Sequence, residues 1–283
     1  ETPNLRSKVK VINHNRHVAP LRIDDVPEWN FDGSSTQQAA GDKSECILDP
    51  VRLYQTDTSP VVYVLCQVRN PDDSHHDSNT RIKLAVSKLS SQSEVPGENE
   101  FGFWWGFEQE YFVTDGRRPI GFPAGSYPRP QGPYYCGVGG TNVNHRDLAM
   151  DHMCECLDRG IEITGVNAEV ALSQWEYQVF SRDTLKACDD LWMSRYLLHR
   201  VAERHGVGID FSPKPLKGDW NGSGCHTNFS NATMREGESE RYFTRYLANL
   251  EASHDLHIRG YGADNEERLT GDHETQSIDK FSY

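Results

Sequence analysis

The segment that most constrains this chain is FGFWWGFEQEYFV, residues 101–113. Aromatic enrichment and period-two patterning predict a well-buried β-strand. Side chains alternate across a strand, so Glu108 and Glu110 share one face and Gln109 takes the other. Adjacent carboxylates repel, and each is costly to desolvate without a partner. A strand of this kind calls for positive charge opposite its acids.

A second acidic pair lies in GVNAEVALSQWEYQV, residues 165–179. Two strand-like pieces flank a turn near ALSQ, which would bring Glu169 and Glu176 together at a hairpin mouth. His226 follows in GDWNGSGCHTNFS, where Gly218, Gly222 and Gly224 allow a close backbone approach to a ligand. Four carboxylates and one imidazole form a hard donor set that suits Mg²⁺ or Mn²⁺ better than structural zinc. Two metals held by such acids can clamp phosphates during transfer. The alternative is that each glutamate is an ordinary strand residue facing water. The aromatic setting tilts the balance: Trp104, Trp105, Phe107, Tyr111 and Phe112 surround the first pair, and Trp175 and Tyr177 the second.

The formal net charge of −13 disfavours a nucleic-acid binder. The longest apolar run, VVYVLC at 61–66, is far too short to span a membrane. The opening residues show no signal-peptide pattern, and seven cysteines without a CxxC pair read as reduced thiols. A cytoplasmic protein is expected, and the NFS and NAT triplets at 228–233 then read as chance glycosylation matches. GVGG at 137–140 lacks phosphate-loop spacing, and no GxxxxGK[ST] run occurs.

Short strands are expected at 8–12, 28–31, 44–48 and 61–68. The polar stretch NPDDSHHDSNT at 70–80 reads as a linker, with His75 and His76 as solvated residues. It places a domain boundary there, giving domains 1–77 and 78–283. Helices are expected at 146–160, with Ala149, Met153, Cys156 and Leu157 on one face, and at 183–206, with Leu191, Leu198, Val201 and Ala202 inward. A third is expected at 241–258, with Phe243, Leu247 and Leu250 inward.

WNFDGSST (29–36), GFEQEY (106–111), PQGPYYCGVG (130–139), KPLKGDWNGSGCHTNFS (214–230) and RLTGDHET (268–275) resemble type II glutamine synthetase, in order along nearly the whole chain. The resemblance implies an α+β fold: a small N-terminal β-grasp domain, then a catalytic domain with a curved antiparallel sheet and flanking helices. It implies ATP-dependent ligation of ammonia to glutamate through a γ-glutamyl phosphate. It further implies stacked rings, usually decamers, with active sites between subunits. Carried over by motif, Glu110, Glu169 and Glu176 look like ligands of one metal, and Glu108 and His226 of the other. Asp32 resembles the aspartate that helps bind ammonium and take its proton, reaching the site from the neighbouring subunit. Glu274 resembles the flap glutamate that shields the acyl phosphate from water. Arg268, Asn221 and Gly222 look like glutamate contacts, and Trp104, Asn228 and Ser230 like nucleotide contacts.

The sequence departs from the family at its end. A Gly/Arg-rich run expected after DKFSY, with further arginines and a third acidic ligand for the second metal, is not in these residues. The expectation is therefore a fragment or portion of a longer chain. EVALSQWE replaces a usual Met-Pro-Gly turn but leaves the acids in place. A structural relative without catalysis, and a ligase of the same fold using another amine, are the competing readings. Retention of Glu108, Glu110, Glu169, Glu176, Glu274 and His226 argues against the first, and Asp32 with Arg268 argues against the second.

Overall fold

The computed structural model describes residues 4–14, 20–72, 74, 102–122, 129–236 and 239–283. The expected boundary at 77, His75 and His76 lie outside them.

The N-terminal part holds a three-stranded antiparallel sheet: β1 (Trp29–Asp32), β2 (Glu45–Tyr54) and β3 (Tyr63–Arg69). β2 runs well past the expected end at 48, and a register shift between Pro50 and Arg52 absorbs its proline. Residues 8–12, expected as a strand, join no sheet among the described residues, and Val9 and Val11 are exposed. Period-two alternation specifies an extended chain, not its partner. The β-grasp expectation is thus met only in part.

The larger sheet is antiparallel and centred on β4 (Trp104–Asp115). β4 pairs β7 (Gln174–Ser181) along one edge and β9 (Cys225–Ser230) along the other. It also pairs β8 (Gly208–Asp210) and β5 (Arg118–Pro119) near its end. β6 (Ile163–Ala168) completes the sheet against β7. The β6–β7 hairpin forms where ALSQ predicts it, with Ser173 in the left-handed region at φ 67.

Two helices cover one face. α1 (Arg146–Asp158) buries Leu148, Ala149, His152 and Cys156. The predicted face is shifted by a fraction of a turn, because Leu157 is exposed. α2 (Thr184–His205) follows the expected span, capped by the Asp183 side chain and stopped by Gly206 in the left-handed region. The core joins Tyr111, Val113, Tyr177 and Val179 of the sheet to Leu197, Leu198 and Val201 of α2, and includes Tyr54 and Leu65 of the small sheet.

After α3 (Ala232–Arg235), the single helix expected at 241–258 is two: α4 (Ser239–Ala252) and α5 (His254–Gly260). The break at Ser253 fits serine's competition with the helical backbone. Phe243, expected inward, is exposed. All seven cysteines are free, and Cys154 and Cys156 point apart, one exposed and one buried. Among the described residues no helix is long and apolar enough to cross a membrane.

Candidate active site

Glu110 and Glu176 stand directly opposite each other across β4 and β7. Like charges in that position destabilise a sheet. Glu169 lies just past the end of β6, 7 % exposed, and closes the group. One carboxylate oxygen from each of the three lies within 4.8 Å of the others. Asn167 Nδ2 donates to Glu169 at 2.8 Å and the Val170 amide at 3.1 Å; Gln178 donates to Glu176. The Gly224 amide donates to Glu110 at 2.5 Å, and the Arg268 guanidinium stands 3.8 Å away.

Burial pushes the carboxyls of Glu110 and Glu169 up to about 7, and the charges of the other acids add to it. The Gly224 amide and Arg268 oppose the shift at Glu110 without cancelling it. Burial also raises Glu176, which feels Glu108 and His226 as well. Three oxygen donors short of positive charge fit a hard divalent cation.

Glu108 and His226 face each other across β4 and β9, with Nδ1 to Oε2 at 3.5 Å. Asn228 donates to the other oxygen of Glu108. Trp104 is half-buried between two guanidiniums, Arg235 at 4.0 Å and Arg182 at 4.6 Å from its ring. Ser230 sits opposite Trp104 and accepts from Arg235 at 2.9 Å. The sequence signalled neither arginine, since both lie beyond the quoted motifs.

Arg268 reaches the site because Gly222 and Gly224 leave room. A Cβ on Gly224 would meet its guanidinium at 2.9 Å, and one on Gly222 would meet the Pro213 carbonyl at 2.2 Å. These glycines admit a protein side chain rather than only a ligand. Arg268 Nε is buried without a hydrogen-bond partner. Asn221 donates to Glu274 at 3.1 Å, joining the glycine loop to the segment after Leu269. His273 and Glu274 both have positive φ, 54 and 64, a strained backbone of the kind that clusters at working sites.

Asp32 sits elsewhere, at the end of β1, exposed. Ser34 donates to it through amide and hydroxyl at 2.9 and 2.6 Å, and Ser35 through its hydroxyl at 2.9 Å. These bonds lower its carboxyl to about 2. Among the described residues no hydrogen bond or ion pair joins Asp32 to the acids of the large sheet.

An α+β fold with clustered carboxylates on a curled antiparallel sheet has the architecture of a catalytic domain with its acids on the sheet itself. Residues 87–243 match the family described as the glutamine synthetase catalytic domain. The chain is 47% identical to a glutamine synthetase of Yarrowia lipolytica over 99% of its length and 74% of that protein's. It is 48% identical to one of Emericella nidulans over 98% of its length and 76% of that protein's. The chain therefore belongs to the glutamine synthetase family, the glutamate–ammonia ligases. A solved Plasmodium falciparum glutamine synthetase shares the fold at TM-score 0.64 and 15% identity, covering 85% of this chain and 53% of that one.

Proposed function

We propose that this chain carries out ATP-dependent ligation of ammonia to L-glutamate through a γ-glutamyl phosphate. The convergence of Glu110, Glu169 and Glu176, in a chain nearly half identical to glutamine synthetases, carries the reading.

The two ligand groups have donor sets that fit Mg²⁺ or Mn²⁺: Glu110, Glu169 and Glu176 for one ion, Glu108 and His226 for the other. When bound, such ions polarise phosphate oxygens and neutralise developing charge. The remaining roles belong to side chains. Arg268, with a free donor and a charged fork, anchors the α-carboxylate of glutamate beside Asn221 and Gly222. Trp104, Asn228 and Ser230 form the nucleotide-facing edge of β4 and β9. Glu274, tied to Asn221, covers the reacting carboxyl and keeps water from the acyl phosphate. Ammonia then attacks the acyl carbon, and phosphate leaves with the oxygen it received.

Asp32 is exposed and, among the described residues, makes no hydrogen bond or ion pair with the acids of the large sheet, which supports service to a neighbouring subunit's site in a ring assembly. Mixing Asp32→Ala with Glu110→Ala subunits then restores part of the activity in hybrid rings; no restoration refutes the sharing. The central assay is phosphate release from ATP and glutamate, with and without ammonia and across a panel of amines. Release only with another amine overturns the reading.

A further inference from the structure

Beneath the acids, on the helix-covered face of β4, Gln109 is 3 % exposed and fully engaged. Its carboxamide oxygen accepts from two nitrogens of the Arg195 guanidinium on α2, Nε at 2.8 Å. Its amide nitrogen donates to the Glu110 carbonyl at 2.7 Å and the Gly224 carbonyl at 3.3 Å. Turning the amide over would set a donor against the guanidinium and an oxygen against two carbonyls, so Arg195 dictates its orientation.

The two carbonyls that Gln109 holds belong to the residues that define the site above. Gly224 accepts from the Glu110 backbone amide at 3.0 Å and donates its own amide to the Glu110 carboxylate. The same glycine gives Arg268 its room. Gln109 also pairs in register with Cys225, one residue along from the Glu108–His226 pair. Arg195 itself lies 5.3 Å from the Trp192 ring and 5.7 Å from Phe211, which restrict its position.

We infer that Gln109 and Arg195 are positioning residues for the metal centre, setting the Glu110–Gly224 junction from the opposite face of the sheet. The inference rests on the reading of Glu110 as a metal ligand. Groups that orient ligands from behind typically affect metal affinity 10–100-fold when changed.

The test uses the full enzyme and Mn²⁺ alone, with free ion read by electron paramagnetic resonance. Gln109→Glu keeps the acceptor for Arg195 but turns an oxygen toward both carbonyls. It should weaken Mn²⁺ binding by about tenfold, and raise the metal concentration giving half-maximal rate more than it lowers kcat at saturating metal. Arg195→Lys removes the fork and should shift affinity the same way; it decides the matter where Gln109→Glu fails to fold. Thermal midpoints in EDTA identify the folded variants. Wild-type Mn²⁺ affinity in a folded variant overturns the inference. Wild-type affinity in Glu110→Ala instead overturns the ligand reading beneath it.

Discussion

Two clusters of buried acids sit in this fold and are held in opposite ways. Asp189 and Asp190, adjacent on α2, are 2 % and 0 % exposed. Arg52 of β2 binds Asp189 at 2.8 Å, while Tyr54 binds Asp190 at 2.9 Å and Lys186 pairs with it one turn away. Each carboxylate of that pair has its own partner, although burial still pushes Asp190 up. Glu110, Glu169 and Glu176 are more accessible yet have one distant guanidinium among three acids. Burial alone therefore does not mark a working acid. What sets the second cluster apart, among the described residues, is its deficit of countercharge.

The largest test of that contrast is Glu110→Ala. Activity should fall by at least about a thousandfold, several kcal/mol of transition-state stabilisation. The metal-free thermal midpoint should hold or rise, because a repulsive charge has gone. Substantial activity at ordinary Mg²⁺ refutes the ligand role. Asp190→Ala should do the reverse, lowering stability by about 3 kcal/mol in denaturant melts. Its rate per folded molecule should stay near wild type, and an activity collapse without destabilisation would erase the distinction.

Proton linkage separates the clusters further. Glu110 and Glu169 titrate near 7 when folded, above the ordinary 4.5, so the metal-free fold holds more protons than the unfolded chain in between. Stability in EDTA should fall as pH rises from about 4.5 to about 7, then level off, and saturating Mg²⁺ should flatten the fall. A metal-free midpoint that climbs through that window contradicts the sign. Least affected should be His205→Ala. His205 meets the exposed Asp151 at 2.8 Å, and its loss should cost under about 1 kcal/mol in the same melts.

What was legible in the sequence followed from local periodicity. The GFEQEY strand shows its alternation directly, and the 183–206 helix shows both face and stop. The turn near ALSQ placed Glu169 beside Glu176. What stayed hidden depends on distant partners. Nothing in KVKVI says that the strand-like segment joins no sheet among the described residues, and nothing near Asp189 names Arg52, 137 residues earlier. Gln109 lies in plain view between the two glutamates. Its role appears only once α2 brings Arg195 beneath it.

The serines around Asp32 set the charge state of its carboxyl. A carboxyl lowered to about 2 is ionised throughout the neutral range and is a feeble base. In the role proposed for it, it would offer an incoming ammonium a fixed negative charge. In the proton-accepting role proposed for it, release of the Ser34 and Ser35 bonds would make it a better base. Removing either hydroxyl would then raise the basicity of the carboxylate while leaving it charged at neutral pH.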